Sequence, residues 1–344
     1  MLLQPFDAGP LGRLKNRVVM SAMTRGFAAP GHLATADMVA YYGRRAEDGV
    51  GLILTEGVIV HPRGDGYNTV PHIQTRQQAD SWKPVLQRVQ AAGTRMVCQL
   101  WHCGRISHED YTGGLPPLSS TAVQAAGVNR QNNKPFGVPV ALDAQGIQEV
   151  YGQFAQAAAL ALGAGFDAVQ LHCGHGYLCD QFLDARVNDR TDRYGGSVEN
   201  RCRFALELVE RTVREVGADR VMVRMSPSRM MNGLYDWPDL DAMLAHVIAA
   251  LDALGITMLD ISCANADYYQ TSGRVIRQIR AAWPHLLLGG ASLTQQQAED
   301  ELAAGWVDAV TWGRRWIANP DLVSRMSRGE SLADFDVAMT KTLV

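Results

Sequence analysis

The chain carries no surplus of positive charge. Its formal net charge is -3 over 344 residues, so neither nucleic acid nor a membrane surface is an expected partner. It has no run approaching the ~20 apolar residues that cross a bilayer. Its first ten residues hold an acid and two prolines, unlike the charged-then-apolar layout of a signal peptide. A cytoplasmic location is expected. Its six cysteines, Cys98, Cys103, Cys173, Cys179, Cys202 and Cys263, form no CxxC pair, which excludes zinc-ribbon and iron–sulfur spacings. Free thiols are the default in a reducing compartment. No GxGxxG motif announces a dinucleotide-binding domain.

What is present is ordinary for a globular protein, with 47% hydrophobic and 19% charged residues. The length suits one (β/α)8 barrel, roughly 200 to over 400 residues, but equally two smaller domains. Organisation decides between them. Eight short apolar runs recur, at Arg17–Met23, Gly51–Val58, Arg95–Leu100, Ala168–His172, Val221–Ser226, Met258–Ser262, Leu286–Gly289 and Ala309–Trp312. Runs without polar alternation are expected where both faces of a strand are covered. Between them lie stretches with helical periodicity: Ile147–Gly163, Asn200–Val216, Leu240–Leu254 and Gln295–Ala304. Glycines 163 or 165, 217, 255 and 305 offer helix stops. No linker divides the chain. The expectation is an α/β protein, one (β/α)8 TIM barrel over residues 1–344. Long loops, Cys103–Leu142 and Leu183–Val198, follow the third and fourth strands.

In such a barrel the strand ends converge on one face, where active sites lie. The polar residues there are informative. The first run ends in Met23-Thr24-Arg25, the second in Thr55-Glu56-Gly57 and the third in Gln99-Leu100-Trp101-His102. The fourth ends in His172-Cys173-Gly174-His175-Gly176-Tyr177. Arg224 interrupts the fifth, Gly289-Gly290-Ala291 closes the seventh, and Gly313-Arg314-Arg315 closes the eighth. Glycines after the last two strands, with Arg314, read as a phosphate site, against plain turn glycines. Gln99 offers a donor and an acceptor, matching the pyrimidine edge of an isoalloxazine ring. Arg224 in an apolar strand demands an anion, or a ring that becomes anionic on reduction. The competing reading is a structural ion pair, with Glu56 as one partner. His172 and His175 are placed to donate to an oxygen, and Tyr177 to give up a proton. Metal binding by His172, His175 and His102 is the alternative, although no HxH pair follows the first strand.

At these residues the chain resembles the Old Yellow Enzyme family of FMN oxidoreductases. The likeness runs from LKNRVVMSAMTR (Leu14–Arg25) to WGRRWIANPDLVSRM (Trp312–Met326). Between them stand YYGRRAEDGVGLILTEG, PHIQTRQQADSWKPV, QLWHCGRISH, AGFDAVQLHCGHGYLCDQFL and NDRTDRYGGSVENRCRF. The resemblance implies tightly bound, non-covalent FMN, with NADPH or NADH as transient hydride donor. It implies Ala22, Met23 and Thr24 along the flavin, with Thr24 tuning its potential, and the Gly57 backbone against the ring. Gln99 and Arg224 would hold the pyrimidine edge, and Gly290, Ala291, Gly313 and Arg314 the phosphate. His172 and His175 would grip the substrate oxygen, Tyr177 would protonate carbon, and Tyr67 and Trp101 would wall the pocket. The implied reaction reduces activated C=C bonds of α,β-unsaturated carbonyls, nitroalkenes and maleimides, by hydride transfer from flavin N5. Monomer and homodimer are both compatible.

Four positions depart from the family pattern. Ala22 replaces Pro, Cys173 replaces Gly within His-x-x-His, Trp312 replaces Phe, and Leu343-Val344 ends the chain without an aromatic-rich tail. The last bears most on substrate scope. Two other readings stay open: an FMN barrel enzyme of a biosynthetic pathway catalysing desaturation or isomerisation, and a metal-dependent barrel hydrolase.

Overall fold

The computed structural model describes residues 1–230, 233–263 and 266–344. Eight parallel strands close a barrel: β1 (Val18–Met20), β2 (Leu52–Ile59), β3 (Arg95–Trp101), β4 (Ala168–Cys173), β5 (Val221–Met225), β6 (Met258–Ser262), β7 (Leu286–Gly290) and β8 (Ala309–Trp312). Each pairs with its neighbour in chain order, and β8 returns to β1. The eight expected runs are these strands. Closure leaves no open edge among them.

The crossovers carry helices α1 (Ala36–Glu47), α2 (Lys83–Ala91), α3 (Ala144–Ala164), α4 (Val198–Val216), α5 (Leu240–Ala253), α6 (Ser272–Ile279) and α7 (Gln295–Ala303). Periodicity located α3, α4, α5 and α7 to within a few residues. Their ends follow from caps. Asp143 and Ser197 each accept a backbone N–H at the start of α3 and α4, and left-handed Gly165 ends α3 (φ 115). Helix α8 (Leu322–Arg328) follows the barrel.

Inside the barrel, alternate residues of each strand point inward, and their chemistry changes with height. The lower layer is apolar: Val19, Leu52, Leu54, Val97, Ala168, Met222, Met258, Leu286, Leu288 and Ala309. Phe6, Leu11 and Leu14, from the segment preceding β1, pack beneath it. The upper layer is polar. Two residues on from Val97, Ala168, Met222, Met258 and Ala309 come Gln99, Gln170, Arg224, Asp260 and Thr311, each buried. The lower end is thus sealed and chemistry is confined to the upper end.

The first strand is shorter than expected, ending at Met20 rather than Met23. Ser21 N–H still donates to the Trp312 carbonyl at 2.9 Å. Beyond it the chain turns away, because the buried Glu56 carboxylate accepts the N–H groups of Arg25 and Gly26 at 3.2 and 3.1 Å. Glu56 comes into reach through a bulge between Leu54 and Gly57 in β2. Burial pushes the Glu56 carboxyl up to about 7, against the pull of the Gly26 and Arg25 N–H groups.

That raised value has a sign. Glu56 contributes stability that is fully present below its ordinary value of about 4.5 and is lost as pH rises through about 7. Gln can keep one oxygen for both N–H groups. Glu56→Gln is therefore expected to remove this slope, with a relative gain on the order of 1–3 kcal/mol between acid and neutral pH. Urea melts of both proteins at pH 4.5, 6 and 8 check it; a stability difference independent of pH would show that Glu56 does not titrate.

Candidate active site

At the upper end of β4 the chain makes two successive left-handed residues, His175 (φ 58) and Gly176 (φ 80). A non-glycine there is strained and needs external support. Ser226 Oγ accepts the His175 N–H and Asp180 Oδ2 accepts the Gly176 N–H, each at 2.6 Å. Asp180 is fully buried and also receives Arg229 Nη1 and Trp237 Nε1, both at 2.6 Å. Gln181 ties the same turn to the long loop after β3. Its Nε2 donates to the carbonyls of Gly176 and Cys103, and its Oε1 accepts from Arg105 N and Ser119 Oγ.

This bracing gathers three rings. His172 lies 5.2 Å from both His175 and Tyr177, centroid to centroid. Trp101 packs edge-on to Tyr177 and tilted against Tyr67, at 4.8 Å each. The Tyr177 and Tyr67 hydroxyls share a 2.7 Å hydrogen bond. Burial, then the Arg224 charge, drives both His172 and His175 well below the usual imidazole value, so both rings are neutral. Burial raises Tyr177 well above the usual phenol and Tyr67 to about 12, so both keep their protons. His172 Nδ1 is buried without a hydrogen-bond partner.

Next to this cluster opens a cavity of about 530 Å³, lined by Ala22, Met23, Arg224, Ser262, Ala291, Gly313, Arg314 and Phe335 among others. That is an ordinary size for a cofactor pocket. The structure thus brings Ala22, Met23, Ala291, Gly313 and Arg314 together along one cavity. Thr24 is exposed and does not line it. Gly290 lies behind the wall, for a different reason than an anion: a Cβ there would meet the Thr311 carbonyl oxygen at 2.0 Å. Gly57 is likewise demanded by Trp101, whose ring would meet a Cβ at 2.4 Å. A second groove, about 830 Å³, is lined by Tyr67, His175, Gly176 and Arg229 among others.

Arg224 does not pair with Glu56, as one reading had it. Its Nε lies 3.5 Å from Asp260 Oδ2 without forming a hydrogen bond. The register explains this, since Arg224 is directly opposite Asp260 on β6, while Glu56 faces the loop after β1. Gln99 donates its amide to Gln170 at 2.8 Å, and Gln170 donates on to Asp260 at 3.1 Å. Asp260, Gln170, Asp180 and Phe335 were missed in the sequence. The available signal was a polar residue inside an apolar run, as with Arg224; Asp260 in MLDIS and Gln170 in AVQLH both show it. The imagined histidine metal set does not assemble. His102 Nδ1 instead accepts Gly104 N–H, and its ring lies beneath Gly64. The group of possible metal ligands found among the described residues is His32, Asp65 and His72.

The chain as a whole is similar to known proteins. The profile of the NADH:flavin oxidoreductase / NADH oxidase family matches residues 1–332. The chain is 37% identical over 346 residues to 12-oxophytodienoate reductase 7 of Oryza sativa subsp. japonica, covering 94% of this chain and 87% of that one. It superimposes on the old yellow enzyme homologue from Zymomonas mobilis with TM-score 0.91 and 32% identity, covering 98% of this chain and 96% of that one. A morphinone reductase variant in complex with tetrahydroNAD gives TM-score 0.89 and 34% identity, covering 98% and 93%. The chain therefore belongs to the NADH:flavin oxidoreductase / NADH oxidase family, the Old Yellow Enzyme group of FMN-dependent, NAD(P)H-driven oxidoreductases that reduce C=C bonds.

Proposed function

We propose that this chain reduces activated alkenes: α,β-unsaturated carbonyls, nitroalkenes and maleimides. The carrying observation is the cluster of His172, His175 and Tyr177, held by a strained, braced turn beside Arg224. The cavity residues fit FMN. Arg224 brings a buried cation whose Nε has no hydrogen bond, and Gln99 brings an oriented amide, both suited to the pyrimidine edge. Ala291, Gly313 and Arg314 hold the phosphate, with Gly290 keeping the strand pair behind them closed. Ala22 and Met23 would border the ring. FMN supplies the hydride chemistry.

The protein's own residues do the rest. Neutral His172 and His175 donate N–H groups to the electron-withdrawing oxygen of the alkene. As neutral donors they act without titrating through the physiological range, and polarise the substrate as its oxygen gains charge. Tyr177 delivers its O–H proton to the α carbon. To do so, the shared bond runs from the Tyr67 hydroxyl to the Tyr177 oxygen, leaving the Tyr177 proton for the substrate. Tyr67 and Trp101 also wall the pocket. A nicotinamide binds transiently as the hydride donor; a morphinone reductase variant has been solved in complex with tetrahydroNAD. We further infer one FMN-binding domain over residues 1–344, a cytoplasmic location, and a monomer or homodimer. No helix among the described residues is long and apolar enough to cross a membrane.

An anaerobic titration tests the reading. NADPH or NADH is expected to bleach the flavin bands of the purified yellow protein, and 2-cyclohexenone or N-ethylmaleimide to restore them. A protein that is bleached but not restored by any activated alkene would overturn the substrate class.

A further inference from the structure

The polar layer of the barrel ends on a carboxylate that the mechanism above does not use. Asp260 is fully buried. Arg224 Nε and Gln170 Nε2, which can only donate, converge on Oδ2, and Ser262 Oγ meets Oδ1. Burial raises the Asp260 carboxyl, and the Arg224 charge with the Ser262 and Gln170 hydrogen bonds pulls it back toward the ionised form. Asp260 is the carboxylate that pairs with Arg224 among the described residues, and Arg224 Nη1 approaches the Ala22 carbonyl at 3.5 Å. The guanidinium that lines the cofactor cavity is therefore half of a buried ion pair.

We propose that Asp260 is a positioning residue that lowers the reduction potential of the bound FMN, by offsetting the charge Arg224 presents to the ring and by setting the polarity of Gln99. The inference rests on the FMN reading of this cavity. A flavin gains negative charge at its pyrimidine edge on reduction, and a cation there favours the reduced form. A carboxylate 3.5 Å from that cation opposes the effect, and in a buried site the opposition is weakly screened. The same anion orients two amides. Because Asp260 only accepts, Gln170 turns its nitrogen to it and its oxygen to Gln99 Nε2. Gln99 is left with its carbonyl oxygen for the ring.

Asp260→Asn separates charge from shape. The midpoint potential of bound FMN, measured by dye equilibration, is expected to rise. The equilibrium should shift at least tenfold toward reduced flavin, about 30 mV for a two-electron couple. Sulfite, whose adduct also places negative charge on the ring, should bind at least tenfold more tightly. A role confined to packing predicts altered FMN retention or thermal stability without either shift. An unchanged or lowered potential in a folded, FMN-loaded variant overturns the proposal. If Asp260→Asn does not fold, Asp260→Ser removes the same charge with a smaller side chain and carries the same prediction. A wild-type protein that holds no FMN would sink the reading of the cavity itself, whereas a yellow wild type with an unresponsive potential sinks only this proposal.

Discussion

Tyr177→Phe is expected to leave flavin bleaching by the nicotinamide near its wild-type rate while slowing alkene reduction about 10²- to 10⁴-fold, the usual contribution of a positioned general acid. The asymmetry follows from where the proton is needed. Nicotinamide oxidation requires no proton from the pocket, and Phe keeps the ring that packs against Trp101 and His172. Only the hydroxyl is lost, and with it the 2.7 Å hydrogen bond shared with Tyr67. Because burial raises Tyr177 well above the ordinary phenol value, the wild-type donor stays protonated across the accessible alkaline range. Alkene reduction should therefore show no alkaline loss assignable to this group below about pH 10. Stopped-flow measurement of the two half-reactions separates them. Equal slowing of both would remove Tyr177 from the proton-donor role and make it a packing residue.

Arg224→Met is expected to act on two properties at once. With its partner gone, Asp260 becomes an uncompensated buried carboxylate, a change that typically destabilises by ~3–5 kcal/mol. The same substitution removes the cation from the cofactor cavity, so the protein should purify with little flavin. The double variant Arg224→Met/Asp260→Asn distinguishes the effects. Removing both charges should recover most of the stability, because a buried ion pair replaced by neutral groups is often near neutral. It should not recover flavin content. Chemical denaturation and the ratio of flavin to protein absorbance read the two quantities independently. A single variant that retains stoichiometric FMN would show that Arg224 serves the fold alone.

Much of this protein was legible in one dimension. The eight strands appeared as apolar runs because a barrel strand is covered on both sides, and a helix stop appeared as Gly163 or Gly165, of which Gly165 is the cap, because backbone caps are local; the N-caps Asp143 and Ser197 were not singled out. His172, His175 and Tyr177 stood out as polar groups crowded after a buried strand, and Ala22, Met23, Ala291, Gly313 and Arg314, singled out at three strand ends, line one cavity. Other calls depended on contacts the chain order hides. Gly290 and Gly57 looked like residues making room for a ligand, yet a neighbouring carbonyl and a tryptophan ring occupy that space. Arg224 needed an anion, which was evident, but Glu56 was the partner considered, and Asp260 came into view only when strand register put it opposite.

The sequence by itself determined the family, the barrel, and the residue types that meet at its upper end. Those are set by local periodicity and by short ordered motifs. The tertiary structure alone decided who holds whom. Asp260 meets Arg224 across β5 and β6, and Gln170 carries that contact to Gln99 across β4 and β3. Tyr67 reaches Tyr177 across 110 residues of chain. Each of these pairings is a product of strand stagger and loop closure. A hydrogen bond of 2.7 Å or an ion pair of 3.5 Å depends on positions in space that no spacing along the chain records.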